Sequence, residues 1–162
     1  MNTHDQVLVS LRKIIRAIDL HSKRLERESG LTGPQLLLMQ CIYINGEITA
    51  GVIAREISLS QATVTTIIDR LESKGLLKRE RNQEDKRKVM ISLTDEGKVA
   101  LEKAPTLMQE SFISRFDHLE EREQNLILSS LQRVADMMNA TDLDAAPLLD
   151  SSDAQVIAKS DA

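Results

Sequence analysis

The 162-residue sequence lacks many features that identify enzymes, secreted proteins and membrane proteins. It contains no tryptophan, one tyrosine and two phenylalanines, so RNA-binding modules that stack bases on aromatic side chains are not expected. Its single cysteine, Cys41, excludes an internal disulfide framework and is typical of a reducing cytoplasm. No apolar run reaches the length of about 18 residues that a membrane span needs, and the first ten residues lack the pattern of a secretory signal. We therefore expect a cytoplasmic globular protein.

Residues for catalysis or metal binding are also scarce. The six glycines are dispersed and form no phosphate-binding loop. His4, His21 and His118 lie far apart in sequence without a glutamate-rich helix beside them, so no zinc pair is expected. No nucleophile elbow is recognisable. The sequence predicts no enzyme, no metal site and no cofactor.

The distribution of charge indicates a nucleic-acid partner although the net charge is −4. Residues 70–88 contain eight basic and four acidic side chains, a local charge of +4. The chain from Asp117 onward contains three basic and ten acidic residues, a charge of −7. Because charges are screened over about 10 Å, a local basic segment can hold phosphates whatever the total charge.

The spacing of apolar residues predicts a mainly helical chain. A seam at alternating three- and four-residue steps indicates a long first helix that ends near Gly30. The second helix, residues 34–44, is apolar nearly all round and is expected in the core. Two short helices, residues 49–57 and 60–74, follow with only a two-residue turn between them, which is the helix-turn-helix arrangement. The seam of the first helix consists of Leu8, Leu11, Ile15, Ile18, Ser22 and Leu25.

After Gly75 the apolar residues alternate with polar ones, which predicts a β-hairpin. Its strands are expected at residues 76–81 and 88–93, on either side of a polar loop. Thr94 is suited to cap a further helix.

The C-terminal part is predicted to be helical and then disordered. Pro105 either kinks the helix that Thr94 begins or separates two helices. A final helix is expected over residues 120–139. The acidic segment 141–162 is predicted to be mostly disordered.

The outward face of the second helix of the helix-turn-helix is short and hydrogen-bonding. Small side chains there would let a helix enter a major groove about 12 Å wide. Glutamine pairs with adenine edges, threonine fits thymine methyls or phosphates, and arginine reaches phosphate or guanine. A solvated helix face would show the same pattern, so both interpretations stay open for this element alone. The candidate contacts on it are Ser60, Gln61, Thr63, Thr65, Thr66 and Arg70.

The adjacent basic hairpin favours DNA binding. Arginine suits the narrow, negative minor groove because it is always charged and weakly hydrated, and Arg87 lies near the tip. Asp85 is placed to brace the Arg87 guanidinium by a charge-assisted pair. A charge run without a partner remains the general alternative. The other basic candidates in the hairpin are Arg79, Lys86 and Lys88.

Motifs in this region resemble the multiple antibiotic resistance regulator (MarR) family. Asp85-Lys86-Arg87, followed by Ile91-Ser92-Leu93-Thr94 and Gly97, resembles its wing signature. Leu71-Glu72-Ser73-Lys74-Gly75-Leu76 resembles the join between its recognition helix and wing. The resemblance covers residues from about Leu8 to about Asn139.

This resemblance implies a mainly α fold with a small β-hairpin wing. The winged helix-turn-helix would comprise residues 35–104, and residues 1–34 and 105–140 would supply dimerisation helices. It implies a homodimer that binds double-stranded DNA at a palindromic operator, usually as a repressor and often released by a small effector. The positions that correspond to groove-reading residues are Gln61, Thr63, Thr65 and Arg70, with Arg87 as the minor-groove arginine and Asp85 as its partner.

The resemblance also implies an effector pocket between the dimer helices and the winged helix. Residues 17–23 and 30–35 are similar to regulators of ectoine and other compatible-solute genes, which makes an osmotic or ionic signal an expectation. Ordinary packing is the favoured alternative, because methionine and aromatic residues at helical spacing usually pack. The candidate pocket residues are His21, Arg24, Met39, Tyr43, Phe112 and Phe116.

A redox switch is the less favoured interpretation of Cys41. Peroxide-sensing relatives carry the reactive cysteine in the first helix, where this chain has none. Cys41 lies in an apolar run without an adjacent base, which predicts an inert buried thiol.

The main alternative function is a winged helix that serves only as a protein-interaction module, with the acidic C-terminal region as its contact. Such an adapter would gain nothing from a basic wing or from a small polar recognition face. Loss of DNA affinity in an Arg87→Ala variant and a steep salt dependence would distinguish the two.

Overall fold

The computed structural model describes residues 2–143 and 148–150. The chain divides into two compact units, one running to Pro105 and including the described C-terminal residues, the other beginning at Thr106. The first helix of the chain belongs to the same unit as the winged helix. Among the described residues, no helix is both long and apolar enough to cross a membrane.

The first helix, α1, spans Thr3–Ser29. The helix begins after its N-cap Asn2, whose backbone N–H donates to Asp5 Oδ2 at 3.0 Å. Gly30 ends it with a left-handed φ of 69°, donating its N–H to the Glu26 carbonyl, as predicted. Only the C-terminal part of the apolar seam is buried, at Ser22 and Leu25.

Three helices supply most of the core of the first unit: α2 at Gly33–Asn45, α3 at Ala50–Glu56 and α4 at Gln61–Ser73. Each begins after a hydroxyl residue whose side chain accepts a backbone N–H of the first turn, namely Thr32, Thr49 and Ser60. The all-round apolar character of α2 predicts burial, and the structure confirms it. The core side chains, each at most 2% exposed, are Leu25, Leu31, Leu36, Leu38, Met39, Ile42, Ile53, Val64, Ile68, Leu71, Leu77 and Ile91.

Two residues, Ser58 and Leu59, separate the C-cap of α3, Ile57, from the N-cap of α4, Ser60, as predicted. Ser58 adopts a left-handed φ of 54°, and the N–H of Leu59 donates to the Ala54 carbonyl at 3.1 Å. This is the Schellman ending of a helix, with serine where glycine is usual. It reverses the chain directly into the cap of α4.

The hairpin consists of β1 at Leu77–Arg81 and β2 at Val89–Leu93, paired antiparallel. Leu77 faces Leu93 and Arg79 faces Ile91 in this register. Ile48 adds two backbone hydrogen bonds to Ile91, at 2.8 and 3.2 Å. The hairpin is thereby fixed against the helical core.

Thr94 ties the base of the hairpin to the next helix, α5, at Asp95–Lys103. Its hydroxyl donates to the Gly75 carbonyl at 2.6 Å and accepts the Gly97 N–H at 3.0 Å. A Cβ at Gly97 would stand 2.1 Å from the carbonyl oxygen of Leu76. Thr94 and Gly97, which belong to the motif that resembles the family, are thus explained by local packing. The base of the hairpin and the start of α5 are in contact here.

Pro105 separates two helices rather than kinking one. After α5 the chain is extended, and the second unit contains α6 at Met108–Phe116 and α7 at Glu121–Met137. Phe112 and Phe116 stack within α6, with ring centroids 5.4 Å apart.

Part of the acidic C-terminal segment packs on the first unit. Leu148 is buried, and Asp150 Oδ2 accepts the backbone N–H of Gly33 at 3.1 Å. These residues belong to the segment 141–162, for which mostly disordered structure stays a prediction. For 144–147 and 151–162 it lies outside the described residues.

Candidate nucleic-acid interface

The N-terminal turn of α4 is held rigid by two of the predicted contact residues. Ser60 Oγ accepts the backbone N–H of Thr63 at 3.1 Å, and the two hydroxyl oxygens lie 2.8 Å apart. Ser60 is exposed and Thr63 half-buried. Both side chains therefore shape the start of the helix and remain at its surface.

Thr65 and Thr66 are exposed on the middle of α4 with their hydroxyl protons already used. Their Oγ1 atoms donate to the carbonyls of Gln61 and Ala62, at 2.9 and 3.1 Å. A hydroxyl whose proton is committed can accept a hydrogen bond but has none to offer a phosphate. This geometry favours contact with base amino groups or thymine methyls over phosphate contact.

Gln61 and Arg70 occupy the two ends of the exposed face of α4. Gln61 also borders an open groove of about 350 Å³ between the starts of α3 and α4, with Thr49, Val52 and Arg55 among its lining residues. Arg55 adds an exposed positive charge that sequence reasoning did not single out. Its position in the last turn of α3, directly before the turn to α4, could have indicated from the sequence that Arg55 lies beside the recognition helix.

The wing tip is organised by Asn82, which sequence reasoning also missed. Its Oδ1 accepts the backbone N–H groups of Glu84 and Asp85, at 2.8 and 3.0 Å. Its own N–H donates to the Lys88 carbonyl at 2.9 Å, where β1 and β2 meet. An asparagine at the start of a polar loop is a common turn former, so its residue type was a usable signal.

Asp85 supports Arg87 differently from the predicted brace. Its Oδ1 accepts the backbone N–H of Arg87 at 3.1 Å. Among the described residues, the Asp85 carboxylate and the Arg87 guanidinium form no ion pair. The predicted carboxylate–guanidinium brace is thus corrected to a carboxylate–backbone contact. Asp85 shapes the tip, and the Arg87 side chain projects exposed.

Lys86, Arg87 and Lys88 form an exposed basic tip. Within residues 2–143 and 148–150, none of the three makes an ion pair with a carboxylate. Three unneutralised cations at the end of a rigid hairpin are suited to bind a polyanion.

Arg79 is the one basic candidate that is turned inward. Its guanidinium donates to Asp69 and, at 2.9 Å, to Glu72, both on α4, and only 29% of its side chain is exposed. The hydrogen bond to Asp69 raises the pKa of Arg79 above its ordinary value. The strand pattern contained the signal, because Arg79 shares a face with buried Leu77.

Comparison with known proteins places this geometry in a family. The MarR family model matches residues 31–89, which contain α2 to α4 and the wing. The chain is 30% identical to the HTH-type transcriptional repressor MdtR of Bacillus subtilis (strain 168), over 63% of this chain and 68% of the relative. The chain belongs to the MarR family. It is therefore a DNA-binding transcriptional regulator.

Solved structures agree with this MarR-family fold. A MepR-like protein complexed with pseudoligands is 26% identical with a TM-score of 0.59, over 85% of this chain and 97% of that one. Reduced AbfR bound to DNA is 26% identical with a TM-score of 0.51, over 83% of this chain and 93% of that one. The winged helix-turn-helix predicted from sequence is confirmed.

The predicted effector residues of this MarR-family chain lie in different surroundings. Met39 is fully buried in the core, whereas Tyr43 is 62% exposed. Arg24 pairs with Glu28 at 2.9 Å, and His21 is half-buried on the same helix. Phe112 and Phe116 belong to the second unit. Packing accounts for Met39, and the pocket as a whole stays a prediction.

Cys41 is a buried thiol in α2. Burial, followed by the nearby negative charge of Glu56, raises its pKa above the ordinary value. Asn45 donates to its carbonyl oxygen at 2.8 Å. A thiol held in its neutral form is a poor nucleophile. In the part of the chain that the structure describes, no group of three or more potential ligands could hold a metal ion.

Proposed function

We propose that this protein is a homodimeric repressor that reads a palindromic duplex operator with α4 in the major groove and the wing in the flanking minor groove. The observation that carries the proposal is the exposed tip of Lys86, Arg87 and Lys88, which the described carboxylates leave unneutralised. A cytoplasmic location accords with this function and with a single reduced cysteine.

The recognition face supports base reading. Gln61 and Arg70 are the exposed long side chains of α4, suited to adenine and to guanine or phosphate. Between them, Thr65 and Thr66 are short enough for the backbone to approach base edges. Hydrogen bonds between Ser60 and Thr63 fix the first turn, from which this face begins.

The wing supports minor-groove contact. Arg87 projects from a tip whose backbone Asn82 and Asp85 hold by side-chain hydrogen bonds. Because the backbone of the tip is already ordered, less conformational freedom is lost when the wing enters a narrow groove. Reduced AbfR, a structural relative, is bound to DNA, and we extend DNA binding by this fold to the present chain.

The homodimer is supported by apolar faces that the chain leaves exposed. On α1, Leu8 is 44% and Ile15 is 64% exposed, although both belong to the predicted seam. On α7, Leu126 is 66% and Leu131 is 49% exposed. Such helix faces are normally buried, and a second copy is the simplest partner. Two-fold symmetry would place two α4 helices about 34 Å apart, one turn of DNA.

Repression and release by an effector are proposed from relatives. MdtR is a repressor, and the MepR-like protein was solved with pseudoligands. We extend both properties to this chain. Of the predicted pocket set, Arg24, Tyr43 and Phe112 are exposed and His21 is half-buried.

An Arg87→Ala variant tests the wing. We expect it to lose about 1–3 kcal/mol of operator affinity in fluorescence anisotropy, because one minor-groove contact is removed. The matched control is Arg16→Ala, which removes the same charge from the exposed surface of α1 and should change affinity little. Equal affinities for both variants and the wild type would contradict the proposed wing.

Salt dependence separates DNA binding from the adapter alternative. A dimer that neutralises six to ten phosphates should lose about 10³–10⁵ in affinity between 50 and 200 mM salt. A flat response would favour a protein-interaction adapter instead.

A further inference from the structure

Arg79 joins the recognition helix to the wing. It lies on β1, whereas its two partners, Asp69 and Glu72, lie three residues apart on one face of α4. A guanidinium is a planar fork of donors, so it can hold two carboxylates in a defined geometry where an ammonium group would act as a point charge. The contact therefore restricts both the distance and the orientation between β1 and α4.

The register of the hairpin explains why the arginine points this way. Arg79 pairs with Ile91 and shares a face with Leu77 and Leu93, all three of which are buried. That face packs against the helices, while Lys78 and Glu80 lie on the other face and pair with each other at 3.2 Å. Arg79 thus replaces an apolar residue at the outer end of the inner face, where the hairpin begins to leave the core.

The wing depends on this contact for its placement. Beyond Arg79 the inner face of β1 continues with Arg81, which is exposed, and the strands carry no further buried residue towards the tip. Asn82 and Asp85 shape the tip internally but do not connect it to α4. The Arg79 fork is the outermost side-chain hydrogen bond between α4 and the hairpin that the described residues make.

We propose that Arg79 is a positioning residue, which through Asp69 and Glu72 sets the wing relative to α4 so that Arg87 and the recognition helix engage one DNA duplex together. The inference rests on the proposed use of the wing in DNA binding. In this role Arg79 contacts Asp69 and Glu72 of the protein itself, whereas its charge alone would suggest a contact with DNA phosphate.

Removing the two carboxylates distinguishes a positioning role from a purely electrostatic one, because the two predict opposite changes in DNA affinity. An Asp69→Ala/Glu72→Ala double variant removes two negative charges from the recognition helix, so electrostatics alone predict tighter DNA binding. If the two carboxylates hold the wing through Arg79, the same variant binds DNA more weakly. The matched control is Glu80→Ala/Glu84→Ala, which removes two exposed negative charges from the hairpin without touching the Arg79 fork.

The experiment measures operator affinity by fluorescence anisotropy for both double variants, each in the native and in the Arg87→Ala background. We expect Asp69→Ala/Glu72→Ala to weaken binding by between about twofold and 150-fold, the range of coupling between interacting residues. The control should bind as tightly as the wild type or more tightly. In the Arg87→Ala background the loss caused by Asp69→Ala/Glu72→Ala should largely disappear, because no wing arginine is left to position.

Three results would overturn the inference. Binding that tightens as in the control would show that the fork has only an electrostatic effect. A loss of the same size in the Arg87→Ala background would show that Asp69 or Glu72 reads DNA directly or supports folding in general. An Arg87→Ala variant that binds like the wild type would overturn the proposed wing function itself, whereas the first two results leave that function intact.

Discussion

At the scale of single residues, Gly97 shows how a sequence motif follows from a close backbone approach. It is the third residue of α5, and its N–H is bound by the Thr94 hydroxyl. The carbonyl oxygen of Leu76 stands where a side chain would begin. No rotamer can relieve that contact, since both partners are backbone.

Gly97→Ala should therefore destabilise the protein by about 1–3 kcal/mol, the usual cost of overpacking. Urea unfolding followed by circular dichroism measures it. The matched control is Gly51→Ala in α3, where a Cβ meets nothing within 4 Å. That variant should gain up to about 1 kcal/mol from reduced freedom of the unfolded chain. Equal stabilities of the two variants would contradict the proposed steric role of Leu76.

Cys41 should behave as an inert thiol. Its raised pKa keeps it protonated near neutral pH, and its burial blocks access. We expect a thiol reagent to modify the native protein at least about tenfold more slowly than the urea-unfolded protein. Because folding raises this pKa, the contribution of the protonated thiol to stability is intact below the pKa of the unfolded chain and is lost as the pH rises above it. Equal rates in the native and unfolded states would instead indicate an accessible, reactive cysteine.

At the scale of elements, the sequence predicted the helices, the turn and the hairpin because each is encoded locally. Hydroxyl residues at Thr32, Thr49, Ser60 and Thr94 cap four helices, and each accepts a first-turn N–H. Apolar spacing distinguishes the helices from the strands. The bounds of these elements differ from the predicted ones by one or two residues at most, apart from the region around Pro105 and the start of α1, for which no bound was predicted.

The side-chain contacts of the interface were less predictable because they depend on rotamers and on partners distant in sequence. Asp85 has both a backbone N–H and a guanidinium within reach, and sequence spacing does not choose between them. Arg79 has the charge of a DNA contact, yet its partners are on α4. Asp150, whose carboxylate accepts the Gly33 N–H, lies 117 residues from this partner in sequence, so no local pattern predicts the contact.

The turn between α3 and α4 is expected to tolerate glycine better than its native serine. Ser58 holds a left-handed φ of 54°, which costs about 1 kcal/mol for a residue with a Cβ. Ser58→Gly should raise the free energy of unfolding by about 0.5–1 kcal/mol in urea titration. Ser73→Gly, at the right-handed end of α4, should lower it by a similar amount. A loss of stability in Ser58→Gly would contradict this account of the turn.

At the scale of the whole molecule, basic and acidic residues are concentrated in different segments of the chain. The basic residues cluster in the segment that contains α4 and the wing, whereas the acidic excess lies from Asp117 onward. Net charge alone would have argued against DNA binding. The local field at the wing tip is what a phosphate backbone meets.

The exposed apolar faces of α1 and α7 predict the oligomeric state. Ile15→Glu and Leu126→Glu should each weaken the dimer at least about 30-fold, since an unpaired charge would enter the buried interface. Sedimentation velocity over a concentration series measures this. Val99→Glu, a similar change at an exposed apolar residue of α5, serves as the control and should leave the dimer intact. A wild-type protein that sediments as a monomer at micromolar concentration would contradict the proposed interface.

Hydroxyl-radical footprinting of genomic fragments selected with the purified protein tests the central claim most directly. If α4 and the wing grip one duplex, the protected sequence should contain two half-sites with centres about one turn of DNA apart. In the Arg87→Ala variant, protection of the flanking minor grooves should disappear while the central half-sites remain protected at higher protein concentration. A selection that enriches no sequence, or a footprint that Arg87→Ala leaves unchanged, would contradict the account.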